Sequence, residues 1–178
     1  MSPVPGDIPR VLSIAGSDSG GGAGIQADLK AIARCGAHGM TAITAITAQN
    51  TVGVDAVESV SPAMIVAQIE AVASDIGVDA VKVGMLGTTE TIEAVIEGLG
   101  MTGDAPVVVD PVMVSETGSS LLDDEARSAL VEGILPLASF VTPNIPEARA
   151  LAGLGPESSH ADLTLAVHAL GPGFAAVP

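Results

Sequence analysis

Four short, mostly apolar runs, Val11–Ala15, Ala80–Val83, Val107–Val109 and Phe140–Thr142, each lead into a polar or glycine-containing turn and then into a segment of helical periodicity. None of the four alternates apolar with polar residues, so both faces of each run are expected to be covered. That is the signature of a parallel sheet held between helices. The helical segments carry apolar stripes to match: Ile25, Leu29, Ile32 and Ala33 in Gly24–Cys35, then Ile65, Ile69, Val72 and Ile76 after Ser61-Pro62, then Ile92, Val95, Ile96 and Leu99 in Thr88–Leu99. Ser61 is expected to cap its helix, with Pro62 at the first position. Further helices are expected over Asp123–Leu135, Pro146–Leu151 and Ala161–Leu170. His38–Thr47 reads as the second strand, although its TAITAIT pattern has a period of three and fits neither template. Asp55–Val60 reads as a short exposed strand, and Phe174–Val177 as the start of another. The expected class is α/β, a single domain without a linker.

With two Phe, no Trp and no Tyr among 178 residues, the core has to be built from Ala, Val, Ile and Leu. The formal net charge of -15, with six Lys and Arg in total, argues against a nucleic-acid partner. It leaves room for a phosphate ligand, because backbone N–H groups and a metal ion can hold one. Cys35 is the single cysteine, so no intrachain disulfide forms, and beside Gly36 it is expected to be a buried structural thiol. Residues 1–10 show no charged segment followed by an apolar stretch, and no run reaches membrane-spanning length, so a cytoplasmic protein with no membrane partner is expected.

Ligands of parallel sheets bind beyond the carboxyl ends of the strands, and the polar candidates gather there. Gly16 to Gly24 places five glycines in nine positions between the first strand and the first helix. Exposed backbone at a helix N-terminus favours close approach of a small polar ligand, while a tight turn that needs glycine explains the stretch equally well. Gly22-Ala-Gly24-Ile-Gln-Ala27 matches the dinucleotide fingerprint in form only, because the acidic residue expected about twenty positions on is missing. No P-loop motif occurs.

Asp18 and Asp28 flank the glycines; Asp28, one turn into the helix, either points back at the mouth of the cleft or, as spacing alone favours, is a solvated first-turn acid. Gln49-Asn50-Thr51 offers an amide donor and acceptor suited to a heterocycle edge with a ring nitrogen and an amino group, or else a polar turn. Asp110 ends one buried strand, and Asn144 and Glu147 follow the next. These fit a Mg²⁺–phosphate site or helix caps about equally. Lys82, in an apolar strand, needs a partner or a polar mouth. His38, His160 and His168 show no metal spacing.

Taken in order, AGSDSGGGAGIQADLK (15–30), TAITAITAQNT (41–51), VKVGML (81–86), VDPVM (109–113) and TPNIPEA (142–148) resemble the hydroxymethylpyrimidine and phosphomethylpyrimidine kinases of thiamine biosynthesis, members of the ribokinase-like superfamily. The resemblance implies a three-layer α/β/α fold with a mostly parallel central sheet. It implies that Asp28 and Gln49 bind the pyrimidine, that Gly16, Met85 and Val112 line its pocket, and that Asp110, Asn144 and Glu147 belong to the ATP phosphate region, with Asp110 and Glu147 toward Mg²⁺. It also implies phosphoryl transfer from ATP, first to the hydroxymethyl group and then to the monophosphate, and a possible homodimer through Asn50–Val60.

Family members also carry a lysine-containing K-G-G-H-like segment and a G-T-G-C or G-T-G-D motif that supplies the anion hole. Neither occurs in these 178 residues. The expectation is therefore a single domain over residues 1–178 that is incomplete at its C-terminus, with impaired turnover and no catalytic residue of that motif. The rival readings are a pyridoxal-type kinase on the same fold and a non-catalytic ligand-binding remnant.

Overall fold

The computed structural model describes residues 8–113 and 122–178; residues 1–7, most of the stretch read for a leader segment, lie outside the described residues. In chain order the elements are β1 (Arg10–Ala15), α1 (Gly24–Arg34), β2 (His38–Ile43), β3 (Ala45–Gln49), β4 (Val54–Ser59), α2 (Pro62–Asp75), β5 (Ala80–Val83), α3 (Thr89–Leu99), β6 (Val107–Val109), α4 (Asp124–Ala129), β7 (Phe140–Val141), α5 (Ile145–Ala152), α6 (His160–His168) and β8 (Phe174–Ala175). Six strands form one parallel sheet in the order β2-β1-β5-β6-β7-β8. The continuous apolar runs are its central strands, as their lack of alternation requires. From β1 the chain crosses through α1 to β2 on one side, whereas α3 carries it from β5 to β6 in the other direction. Right-handed crossovers in opposite directions put α1 and α3 on opposite faces. The result is the three-layer α/β/α arrangement.

The core is aliphatic, as composition requires. Leu12, Ile14, Ile65, Ile69, Val83, Ile92 and Val95 are fully buried, while Phe140 and Phe174 stack on one another at 5.0 Å on the exposed side of β7 and β8. Layers of small side chains pack closely. A Cβ on Gly98 of α3 would run into Ile69 of α2, so glycine at that position lets the two helices approach.

Several expectations shift. His38–Thr47 is two strands, not one. At Thr44 the N–H donates to the carbonyl of Ala15 (3.1 Å) and the hydroxyl to the carbonyl of Met85 (2.9 Å). The chain leaves the main sheet there, and β3 pairs antiparallel with β4, the strand expected at Asp55–Val60. The three-residue period records that change of partner. The helix expected over Asp123–Leu135 is α-helical only to Ala129; it continues as a π turn to Ile134 and a 3₁₀ turn over Leu135–Leu137, where Pro136 offers no N–H to continue the ladder. Ser61 precedes α2 without a side-chain capping bond. Cys35 is exposed rather than buried. It follows the last turn of α1 and precedes Gly36, whose φ of +76° turns the chain away.

Candidate functional site

Because β2 and β5 flank β1 on opposite sides, a crevice opens between their outgoing connections at the carboxyl end of the sheet. A cleft of about 460 Å³ lies there. Its walls include Gly16, Asp28, Gln49, Met85 and Val112, the residues expected on the pyrimidine side. They also include Asp110, Asn144 and Glu147, the residues expected on the nucleotide side. Segments more than a hundred positions apart in sequence thus converge on one hollow.

The glycine-rich loop does not present its amides to the cleft as a phosphate nest. The buried Asp18 carboxylate accepts from the N–H groups of Gly20, Gly22 and Ala23, each at 2.8 Å. Burial raises the pKa of Asp18, but these bonds outweigh it and hold the carboxyl below its usual range. Gln26 accepts from the Asp18 N–H, and Lys30 donates to the carbonyl of Gly21. The loop is a self-filled turn, which removes the dinucleotide reading. Close approach requires glycine at one position and crowds a second. Gly24 has a φ of +54° and no room for a Cβ against the carbonyl of Gly16, and a Cβ on Gly16 would meet the Met85 methyl at 2.6 Å.

Asp28 is not a solvated acid either. Its Oδ2 accepts from the hydroxyl of Ser13 at 2.6 Å and pairs with the Lys82 ammonium at 3.1 Å. Lys82 also lies 3.8 Å from Asp110, so the polar partner that a strand lysine needs is a pair of carboxylates. Burial raises the pKa of Asp110, the Lys82 charge lowers it, and the Asp28 charge raises it again, for a net upward shift.

Asn144 and Glu147 form a reciprocal capping box at the start of α5, with two bonds of 2.9 Å. The cap is therefore present, and both of its residues also line the cleft. Glu147 is buried, and its pKa is raised mainly by that burial and further by Asp110, against the N–H groups of Asn144 and Met113. Among the described residues no cluster of three or more His, Cys, Asp or Glu makes a metal cage. Two carboxylates on one wall, each destabilised as an anion by burial, fit a Mg²⁺ that arrives on a nucleotide, since that ion takes one or two protein carboxylates beside phosphates and water.

Gln49, from the end of β3, is fastened through its backbone. Its N–H donates to the Ser19 hydroxyl and its carbonyl accepts from that same hydroxyl, both at 2.7 Å. Its side-chain Oε1 lies 3.3 Å from the Thr47 hydroxyl, and the residue lines the cleft. Residues that sequence reasoning passed over are Ser13, Thr47, Val54 and Val57. The last three line the cleft from the β3–β4 hairpin. The alternation of β3 in Ala45, Thr47 and Gln49 was the signal that one face of this segment is covered.

The phosphomethylpyrimidine kinase family model matches residues 18–173. The chain belongs to this family. A hydroxymethylpyrimidine/phosphomethylpyrimidine kinase of Rhizobium meliloti is 52% identical over 159 residues, covering 89% of this chain and 59% of that protein. The crystal structure of the Clostridium difficile phosphomethylpyrimidine kinase superposes with a TM-score of 0.87 at 46% identity, covering 95% of this chain and 74% of that one. The Staphylococcus aureus pyridoxal kinase, solved with AMP-PCP and pyridoxal, superposes with a TM-score of 0.84 at 37% identity, covering 97% of this chain and 62% of that one. The chain spans about three-fifths of the length of the curated relative it matches. The fold is that of the ribokinase-like kinases, and the family is one of phosphotransferases.

Proposed function

We propose that the chain carries the substrate-binding core of an ATP-dependent kinase that phosphorylates hydroxymethylpyrimidine and then its monophosphate in thiamine biosynthesis. The convergence of Asp28, Gln49, Asp110 and Glu147 on one cleft supports this reading most directly. In it, the Gln49 amide donates to a ring nitrogen of the aminopyrimidine, and the Asp28 oxygen not held by Ser13 and Lys82 accepts from the substrate. Gly16 allows the ring to lie against Met85, and Val54, Val57 and Val112 supply apolar contact. Asp110 and Glu147, the latter held by Asn144, face the nucleotide phosphates. Mg²⁺ held by these two carboxylates would neutralise phosphate charge as it builds in the transition state.

Phosphoryl transfer depends on positioning and electrostatic stabilisation. The 178 residues hold neither the K-G-G-H-like nor the G-T-G motif. The division of labour we propose assigns the pyrimidine subsite and the carboxylates toward Mg²⁺ to these residues and the anion hole to none of them. Two copies meeting through the β3–β4 hairpin, where Ile46 and Val52 are 55% and 82% exposed, form the proposed homodimer. A cytoplasmic location is proposed with it; among the described residues no helix is long and apolar enough to cross a membrane.

The test is direct detection of phosphorylated product from hydroxymethylpyrimidine or pyridoxal with Mg²⁺–ATP. The expected result is slow product from the pyrimidine alone. Preference for pyridoxal overturns the substrate, and rapid turnover overturns the division of labour.

A further inference from the structure

Lys82 is the one cation among the described residues that line the cleft, in a wall that also carries Asp28, Asp110 and Glu147. It comes from the middle of the sheet, on β5, and reaches Asp28 at 3.1 Å and Asp110 at 3.8 Å. These two carboxylates belong to different halves of the site proposed above. Both contacts of Asp28 use Oδ2, so Ser13 and Lys82 together anchor that oxygen of a residue that lines the cleft. Glycine at position 84 keeps the space that the ammonium occupies, because a Cβ there would stand 2.8 Å from Nζ.

We propose that Lys82 is a positioning residue that couples the pyrimidine subsite to the metal–nucleotide subsite, by sharing one ammonium between Asp28 and Asp110. The inference rests on the proposed function. The ammonium is divided between two anions, nearer to Asp28 than to Asp110. A divalent cation at Asp110 repels it, and at these distances in a partly desolvated cleft the repulsion is strong. The ammonium then settles on Asp28 and holds Oδ1 in place for the pyrimidine. Metal–nucleotide and pyrimidine thus strengthen each other's binding, and linkage makes the coupling reciprocal.

The test is calorimetric titration of the 178-residue chain with hydroxymethylpyrimidine, with and without Mg²⁺–AMP-PCP, and with Mg²⁺–AMP-PCP alone. In the native sequence the nucleotide is expected to tighten pyrimidine binding by about five- to tenfold, within the usual range of site–site coupling. Lys82→Met is expected to abolish that tightening and weaken pyrimidine binding, yet to leave Mg²⁺–AMP-PCP binding equal or tighter, because a positive charge beside Asp110 is gone. A lysine with only a structural role would weaken both ligands together when removed. Lys82→Arg, which keeps the charge, is expected to restore part of the coupling. Gly84→Ala, which crowds Nζ without removing charge, is expected to reduce the coupling and serves if Lys82→Met does not fold. Undiminished coupling in Lys82→Met and Gly84→Ala overturns the inference while the proposed function stands. Failure of the native chain to bind the pyrimidine overturns both.

Discussion

Asp18 shows how a residue at the cleft can serve the structure around it by holding a loop in place. Its carboxylate satisfies three loop amides that would otherwise be stranded at the mouth of the cleft. Asp18→Ala is expected to destabilise the fold by about 1–3 kcal/mol, the cost of leaving such donors unpaired, as measured by urea unfolding. Spacing placed Asp18 and Asp28 near a helix N-terminus but could not tell solvation from burial. That distinction depends on Ser13 of β1 and Lys82 of β5, which reach Asp28 from the sheet beneath its helix. Asp110 and Glu147 carry the clearest pH signature. Burial raises both pKa values, so these carboxylates take up protons at a higher pH than exposed ones. Ionisation is what a metal needs from them. Mg²⁺-dependent stabilisation in thermal unfolding is therefore expected to be full at neutral pH and to fade on acidification before ordinary carboxylates titrate; a Mg²⁺ effect unchanged down to pH about 4, where exposed carboxylates titrate, would contradict this.

Among the elements, the central strands and long helices were legible because each rests on a local pattern that the fold obeys. β5 and β6 lie where the apolar runs placed them, and Thr88 caps α3 through its hydroxyl, which accepts from the Thr91 N–H at 3.3 Å. The β3–β4 hairpin was not legible, because Thr44 changes sheets through bonds to Ala15 and Met85 that no local window contains. Helix packing yields a prediction at this scale. Gly98→Ala forces α3 away from Ile69 and is expected to cost about 1–3 kcal/mol, as overpacking does. Ile69→Ala at the same contact is expected to cost about 2–5 kcal/mol through the cavity it leaves. Chemical unfolding measures both.

The amino ends of β1 and β5 are tied by a bidentate Arg10–Asp79 pair, at 2.8 and 2.6 Å. The Arg10 hydrogen bonds hold Asp79 at a pKa of about 2, below its ordinary 3.8. A depressed carboxylate contributes its stability above the unfolded pKa and loses it as pH falls. The clamp is thus complete above pH about 4 and is lost toward pH 2. Asp79→Asn is expected to be less stable than the native chain at neutral pH and to draw level with it toward pH 2, so that part of the acid unfolding limb vanishes in urea unfolding followed across pH.

At the scale of the whole molecule, the sheet order explains why residues from five separate segments can serve one ligand. The switch at β1 opens the crevice, and every connection that leaves the carboxyl edge contributes to its wall. The sequence motifs located these residues because strand ends are local features. The apolar lining from Val54 and Val57 depends on the hairpin folding over the cleft and so escaped notice. The same hairpin is the proposed dimer contact. Ile46→Glu is expected to convert a dimer into monomers in light scattering, with pyrimidine binding preserved; a monomeric native chain removes that proposal.

Titration calorimetry with hydroxymethylpyrimidine, on the native chain and on Gln49→Ala, tests the shared cleft most directly. One pyrimidine is expected to bind per chain, and loss of the Gln49 amide is expected to weaken binding at least about tenfold, the worth of one hydrogen-bonded polar group. Absence of binding by a folded native chain, or equal affinity in Gln49→Ala, would contradict the account.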